Sequence, residues 1–317
     1  MAGIITHTYF VLDLYDKLSI KSKELIIDKK EFLKFFAQSN NVLAYYNCKD
    51  SKKKNKIRNF NNTFHTNKTY EFFSNLINYI KYNQFYYNPE VMAYLYGMLS
   101  HYVLDSTINP FIIYKSGSLN NSLHTEIESY LDNYLYTIRE GMNPHKLKCY
   151  NLCFNIDYFS NELIEVMDFT YKETFGISNF HKYYFSCCMN AKKFYKRYRY
   201  DPVGIKKKFY SIIDYVLPDS YIKKAPLSYH LNKKDKTVFF NLEHKKWYNP
   251  TDKRTKSCES ILELYTKALS DATKIIQEIN QYFYYDKKVN LKKVIGNLNY
   301  YTGKDCSKEK ELKYFEF

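Results

Sequence analysis

Two imidazole–carboxylate pairs with the same spacing lie in consecutive apolar stretches of this chain. His101 precedes Asp105 in GMLSHYVLDSTINPF, and His124 precedes Glu128 in LHTEIESYLDN. Residues four apart lie on the same face of an α-helix, so each pair can direct a ring nitrogen and a carboxylate oxygen at one point. Helical bundles hold metal ions in their cores in this way. The doubled spacing therefore predicts metal ligands that face the interior of a helical bundle.

A single pair of this kind also fits a buried histidine that is hydrogen-bonded to a nearby acid. Two pairs on successive helices favour the metal site, as do His7 and His65, which lie beside the apolar or aromatic runs ITHTYFVLDL and FHTNKTYEFF. The other four histidines lie in lysine-rich or turn-like surroundings, which indicates surface positions: His145, His181, His230 and His244.

The fold class follows from how few helix breakers the chain contains. Only 8 Gly and 7 Pro occur in 317 residues, and amphipathic segments with helical periodicity cover most of the length. We therefore predict a single all-α domain over residues 1–317, with a small irregular or hairpin insertion near 225–256 that includes a short strand at 237–242. A polar connection is expected at 37–66. Expected helices cover 3–18, 22–36, about 67–81, 88 to near Pro110, 122–139, 160–175, 178–199 and 257–284.

The net charge of +15 favours anionic partners, although a lysine-rich chain can carry such a charge for solubility alone. No nucleic-acid-binding signature is present, so no specific nucleic-acid partner is expected. Lys192–Lys208 contains eight Lys or Arg and one Asp, interleaved with aromatics. This stretch is either a solvated helix face with extended lysines or a contact with an anionic membrane surface.

The cysteine pattern and the start of the chain bear on localisation. Seven cysteines are an odd number, and none of them forms a Cys-x-x-Cys motif, which indicates reduced thiols. The N-terminal stretch lacks the features of a secretory signal, and no run approaches the length of a membrane span. A cytoplasmic protein is expected, with peripheral membrane attachment as a further option.

Several of these motifs, taken in order, resemble the zinc-dependent phospholipase C family, whose superfamily includes the S1/P1-type nucleases. The resembling stretches are ITHTYF, the FFAQ segment, FHTNKT, GMLSHYVLDST and HTEIESYLDNYL. They cover roughly the first 140 residues and are most similar to longer, signal-less forms from Gram-positive anaerobes.

The resemblance implies an all-helical phospholipase C/P1 nuclease fold with a buried cluster of up to three zinc ions. His65, His101 and Asp105 would serve one zinc, His7 and Asp105 a second, and His124 and Glu128 a third. Asp105 would bridge two of the ions and is the candidate catalytic residue. The implied activity is phosphodiester hydrolysis of a phospholipid or related phosphate ester by a metal-bound water, chemistry that zinc supports.

Two positions depart from the family pattern. Asn41 stands where relatives carry an aspartate ligand, and Asn109 stands where they carry a histidine. An amide oxygen is a weak, neutral donor to zinc, so under-occupied sites are expected, unless a neighbouring acid such as Asp13 or Asp132 substitutes. Three readings follow: a phosphodiesterase of phospholipase C type, a degenerate relative with a binding or structural role, and a nuclease-like enzyme suggested by the superfamily and the positive charge.

Overall fold

The computed structural model describes residues 3–119, 121–217, 223–231, 236–308 and 311–316, and helices make up most of them. The all-α prediction is confirmed at this level. The helices are α1 (Ile4–Lys17), α2 (Ile20–Leu25), α3 (Lys30–Phe36), α4 (Ser51–Thr66), α5 (Thr69–Tyr82), α6 (Pro89–Ser116), α7 (Ser122–Glu140), α8 (Asn161–Phe175), α9 (Phe180–Tyr198), α10 (Ile205–Val216), α11 (Lys236–Phe240), α12 (Ile261–Tyr285) and α13 (Leu291–Ile295). Short 3₁₀ turns lie between several of them, including Ser39–Tyr45 and Ala225–Leu227.

Helix α6 is the centre of the fold, and its start at Pro89, with Asn88 as the capping residue, agrees with the expected start at 88. The Asn88 side chain accepts hydrogen bonds from the backbone N–H groups of Glu90 (2.9 Å) and Val91 (3.1 Å). This satisfies donors that a helix start leaves without partners, and Pro89 at the first helical position has no N–H to satisfy. Most of the 28 residues of α6 are buried, and α1, α3, α7 and α12 pack around it.

The prediction that α6 ends near Pro110 is wrong, because the helix continues to Ser116. A proline inside a helix costs roughly 3 kcal/mol, since it removes one hydrogen bond and crowds the preceding turn. Phe111, Ile112 and Ile113 are fully buried just after it. Burying each of these side chains contributes about 1.5–3 kcal/mol, so their packing outweighs the cost of the proline.

The carbonyl of Ser106, which loses its helical partner at Pro110, is covered by Gly303. The backbone of Gly303 has φ +61°, and an added Cβ would lie 2.5 Å from the Ser106 oxygen. Only glycine combines this conformation with so close an approach to backbone. The loop that contains Gly303 also crosses the site described below, so this contact fixes its position.

We expect Gly303→Ala to lower the free energy of unfolding by roughly 2–4 kcal/mol, because the methyl group meets a backbone oxygen that cannot move aside. Gly117→Ala is the matched control. Gly117 has φ +75°, but no atom lies close to where its Cβ would be. The free energy of unfolding of this variant should therefore fall only by the cost of the left-handed backbone conformation, about 1–2 kcal/mol. Urea denaturation of both variants measures the difference, and equal losses would contradict the close-approach argument.

The polar connection expected at 37–66 is also wrong, since most of it forms a 3₁₀ turn at Ser39–Tyr45 and helix α4. Asp50 caps α4 by accepting from the Lys53 N–H at 3.1 Å. The buried face of α4 includes Ile57, Phe60 and Phe64. The remaining positions are mostly Lys, Arg, Asn and Thr, and this polarity concealed the helical stripe.

The insertion near 225–256 does contain a hairpin, but not at the expected position. Strands β1 (Trp247–Asn249) and β2 (Asp252–Ser257) pair antiparallel, whereas 236–240 is helical rather than a strand. Residues 232–235 lie outside the described part of the chain. Ser260, not Ser257, caps α12, through reciprocal hydrogen bonds with Glu263. The segment predicted as one helix at 22–36 is divided into α2, a 3₁₀ turn and α3.

Across the residues that the structure describes, no helix combines the length and apolar character required to cross a membrane.

Candidate metal centre

Three helices bring four of the predicted ligands into one buried group. Helix α1 supplies His7, α4 supplies His65, and α6 supplies His101 and Asp105. None of the four side chains is more than 1% exposed. Among the described residues, the only set of three or more His, Cys, Asp or Glu donor atoms that lie within 4.8 Å of one another is His7, His101 and Asp105. His65 joins this set through His101, and we call the four residues the histidine–aspartate group.

The donor atoms of the histidine–aspartate group face one another. Each oxygen of Asp105 lies beside a different imidazole: Oδ1 is 3.3 Å from His7 Nε2, and Oδ2 is 3.2 Å from His101 Nε2. The Nε2 atoms of His65 and His101 are 3.4 Å apart. The rings of His7 and His101 stack with centroids 4.2 Å apart. One carboxylate therefore lies between two imidazoles, as a bridging ligand would.

Backbone carbonyls determine which ring nitrogens carry hydrogen. His65 Nδ1 lies 2.6 Å from the Asn61 carbonyl oxygen, and His101 Nδ1 lies 2.9 Å from that of Ala37. A carbonyl oxygen can only accept, so both Nδ1 atoms are protonated. The two Nε2 atoms face each other, and each offers a lone pair to a metal when its ring is neutral. Histidines that bind metals donate their second nitrogen to a carbonyl or carboxylate in this manner.

Burial favours the neutral forms of His7 and His65. Together with a smaller effect of the neighbouring His101, it lowers the pKa of His65 to about 3 and that of His7 to about 4. Burial by itself would raise the pKa of Asp105, but His101 and His7 outweigh it and hold that pKa well below its usual range. At neutral pH His7 and His65 are therefore neutral and Asp105 is a carboxylate, which are the forms that ligate metals.

The residues present fit a zinc ion. Both oxygens of Asp105 and both nitrogens of His7 are buried and make no well-aligned hydrogen bond, although each Asp105 oxygen lies 3.2–3.3 Å from an imidazole nitrogen. Buried polar atoms that are incompletely satisfied are costly, so a close set of them favours a further partner. Tetrahedral zinc with bonds of about 2.0–2.1 Å separates its ligand atoms by about 3.3 Å. The observed separations match that spacing.

The second predicted pair forms on α7. His124 Nε2 lies 3.3 Å from Glu128 Oε1, and His124 Nδ1 faces the Ser118 carbonyl oxygen at 3.1 Å. Burial lowers the pKa of His124. For Glu128, burial opposes neighbouring positive charge, of which His124 supplies part, and the net result is a pKa of about 2. The pair repeats the arrangement of the first group, but it does not belong to the set of donor atoms within 4.8 Å.

Each of the two asparagines that replace expected ligands has a side-chain oxygen that is buried without a hydrogen-bond partner. Asn109 lies one helical turn beyond Asp105 on α6, and its Nδ2 donates to the Tyr300 carbonyl oxygen at 3.0 Å. Its Oδ1 is buried without a partner, as is Oδ1 of Asn41. Ser39, two residues before Asn41, has the left-handed φ of 44° that non-glycine residues rarely adopt. These amide oxygens are the weakest part of the predicted ligand set.

Asp13 and Asp132, the acids considered as substitutes, already have partners. Asp13 pairs with Arg139 and accepts from the Tyr265 hydroxyl at 2.7 Å. Asp132 accepts from the backbone and hydroxyl of Thr6 at 2.8 and 2.7 Å. It also accepts from the Tyr229 hydroxyl at 2.8 Å. Asp132 thus fixes the start of α1, the helix that carries His7, and this positioning role was not visible in the sequence.

The segment around Tyr300 is the part of the site that sequence reasoning missed. The Tyr300 N–H donates to the His65 carbonyl oxygen at 2.9 Å, and its ring meets that of His65 edge-on at 4.8 Å. Tyr301 stacks on His65 at 5.4 Å and also lines a pocket of about 410 Å³. More than 230 residues separate His65 from this segment, so no local pattern could have connected them.

The four histidines expected at the surface differ in exposure. His244 is exposed, whereas His145 and His230 are half-buried and stack on each other at 4.5 Å. His181 is half-buried beside Asp168, with Nδ1 2.7 Å from Oδ2. The surface prediction holds fully only for His244. The Asp168–His181 pair lies outside the histidine–aspartate group, so a substitution of Asp168 serves as a control for substitutions within the group.

No protein family model, no curated protein and no solved structure matches this chain.

Proposed function

We propose that this chain is a zinc-dependent phosphodiesterase of phospholipase C type, with the all-helical fold of that family and of P1 nuclease, acting on a phospholipid or a related phosphate ester. The observation that carries the proposal is the convergence of three potential ligand atoms, His65 Nε2, His101 Nε2 and an oxygen of the Asp105 carboxylate, within contacts of 3.2–3.4 Å. The Nδ1–H of each of these two imidazoles faces a backbone carbonyl. Such a convergence is unfavourable without a cation at its centre.

In this proposal His65, His101 and Asp105 hold one zinc, Asp105 and His7 a second, and His124 and Glu128 a third. Zinc, when bound, supplies positive charge for the phosphate and lowers the pKa of water to near neutrality. The Asn61 and Ala37 carbonyls orient the two imidazoles, and Asp105 carries the negative charge that the ions require. No separate protein nucleophile is needed.

A pocket of about 410 Å³ lies beside the histidine–aspartate group, because Tyr301 lines the pocket and its ring stacks on His65. The lining combines Lys308 with the acids Asp305 and Glu311 and with several neutral polar side chains. The volume suits a small ester. The two acids would oppose a phosphate in this pocket unless bound zinc supplied the positive charge.

The second candidate function is that of a degenerate relative that binds metal poorly and has a binding or structural role. Asn41 and Asn109 favour it, because each contributes a neutral oxygen where the family resemblance implies a charged or stronger ligand. Fewer anionic ligands compensate closely spaced dications less well. The two candidates differ in one measurable property, which is hydrolysis that depends on zinc.

Turnover of a chromogenic phosphodiester and of mixed phospholipid vesicles tests the proposal. We expect hydrolysis that is weak, disappears with a chelator and returns when zinc is added. Asp105→Asn should abolish it, whereas Asp168→Asn should not, since Asp168 lies outside the group. If the wild type binds zinc but hydrolyses neither substrate, the enzyme reading fails and the degenerate relative is favoured. Cleavage of single-stranded nucleic acid in preference to both substrates would favour the nuclease-like reading.

A further inference from the structure

Helix α10 exposes an apolar face. Ile205, Phe209, Ile212 and Val216 lie at spacings of four, three and four residues, which places them on one side of the helix. Each of them is between 58% and 76% exposed. A continuous apolar stripe is the face that an amphipathic helix normally buries, and such an exposed stripe marks an interaction site.

Polar anchors hold α10 in this orientation. Asp201 accepts from the backbone N–H groups of Lys206 (3.2 Å) and Lys207 (2.9 Å) at the start of the helix. The buried carboxylate of Asp214 accepts from the N–H groups of Lys224 and Ala225, both at 2.7 Å. Asp214 lies on the side of α10 opposite the apolar stripe, so its burial holds that side against the protein and the stripe outward.

Exposed basic side chains lie on α10 and on the neighbouring helix. Lys208 is exposed on α10 and borders the apolar stripe, because it lies four residues before Ile212. Tyr198 and Tyr210 contact each other with ring centroids 5.4 Å apart, which places the end of α9, with the exposed Lys196 and Arg197, beside α10. Arg199, which belongs to the same basic stretch of the sequence, is instead buried 3.9 Å from Asp132. Lys208 thus adds positive charge at the edge of the stripe, and the end of α9 adds more nearby.

We propose that α10 docks the protein on an anionic phospholipid surface, with the apolar stripe in the interfacial region and the basic side chains at the headgroups. Apolar residues on one face with lysines beside them are the pattern of helices that lie in a membrane interface. Charge complementarity selects this occupant. A second copy of the chain would bring two basic surfaces together, and the net charge of +15 opposes that contact.

Co-sedimentation of the full chain with vesicles tests the proposal. We expect binding to an equal mixture of phosphatidylcholine and phosphatidylglycerol, weak or no binding to phosphatidylcholine alone, and weaker binding as salt rises, since screening shortens electrostatic reach to about 8 Å at physiological ionic strength. Equal binding to both kinds of vesicle, or binding to neither, would overturn it. So would a stable dimer in sedimentation velocity that Ile212→Glu dissociates.

Matched variants locate the surface. Ile212→Glu should weaken binding at least about tenfold, because it places a charge in the apolar stripe. Ile20→Glu is the control: Ile20 is also exposed (75%) but lies on α2. Lys208→Glu should likewise weaken vesicle binding more than Lys288→Glu. Lys288 is also exposed but lies outside α10, so its substitution changes the charge of the protein by the same amount. Equal effects within either pair would show that general charge, not α10, governs binding.

A fluorescent probe gives an independent readout that needs no loss of binding. The chain has one tryptophan, Trp247, which is buried. Phe209→Trp adds a second one within the stripe, and its emission should shift to shorter wavelength when phosphatidylglycerol-containing vesicles are added. An unchanged spectrum in the presence of bound vesicles would overturn the assignment of the stripe as the docking face.

Discussion

If the histidine–aspartate group binds zinc as proposed, Asp105→Asn should lower the affinity for zinc at least about 100-fold. Asp105 is the one carboxylate in the histidine–aspartate group, and each of its oxygens faces a different imidazole. Asparagine keeps one oxygen, replaces the other by an N–H donor and removes the negative charge. Metal content by mass spectrometry, on protein purified without chelators, measures the change. Asp168→Asn, at the pair with His181 outside the group, should leave zinc unchanged.

The stability of the same variants separates a metal site from a buried ion pair. Zinc at about a thousand times its dissociation constant stabilises the wild type by roughly 4 kcal/mol, so a chelator should remove that amount. Without metal, Asp105→Asn should be at least as stable as the wild type, because its amide N–H can donate to an imidazole lone pair. A buried ion pair between a protonated His101 and Asp105 predicts the reverse, a loss of roughly 3–5 kcal/mol on breaking the pair. Such a loss of stability in Asp105→Asn, together with a wild-type stability that the chelator does not change, would contradict the metal site.

The second large effect is expected from restoring the two missing ligands. We predict fewer than three tightly bound zinc ions per wild-type chain, because Asn41 and Asn109 offer only neutral oxygens. Asn41→Asp adds a charge, and Asn109→His adds an imidazole whose Nδ1–H can take over the hydrogen bond to the Tyr300 carbonyl. Together the two changes should raise zinc occupancy and phosphodiester turnover. If too little negative charge around the zinc ions limits the turnover of the wild type, turnover should rise about tenfold or more.

The free-energy gain of the double variant should exceed the sum of the gains of the two single variants, because Asp105 would bridge two of the proposed zinc ions and so couple their sites. Asn78→Asp combined with Asn55→His, at two exposed asparagines, makes the same changes far from the group and should alter neither quantity. Full occupancy by three zinc ions in the wild type, with turnover unchanged in the double variant, would show that other residues complete the site and that the loss of ligands has no consequence.

Local sequence was enough for those features that depend on neighbours along one helix. The four-residue spacing placed His101 beside Asp105 and His124 beside Glu128, since helical geometry determines which side chains share a face. The expected start of one helix at residue 88 and the expected end of the next at residue 139 lie within one residue of the observed limits, because the Asn88 cap and the left-handed Gly141 act within one turn. The all-α class followed from many such segments.

Packing decided the features that local patterns misjudged. Helix α6 passes Pro110 because the residues after it are fully buried, and α4 forms in a polar stretch because three well-spaced apolar side chains reach the core. In both cases the free energy comes from surfaces that are distant in sequence, which a local propensity does not include.

The sequence by itself determined which residues carry the candidate chemistry, and the tertiary structure decided how they are presented. The carbonyls of Asn61 and Ala37 orient His65 and His101 so that their Nε2 atoms face each other. Tyr300, which is more than 230 residues from His65 in the sequence, hydrogen-bonds to the His65 backbone. In α10 the apolar periodicity is plain in the sequence, but only the anchors at Asp201 and Asp214 turn it outward. Periodicity states which residues share a face, whereas the direction of that face depends on contacts made elsewhere in the chain.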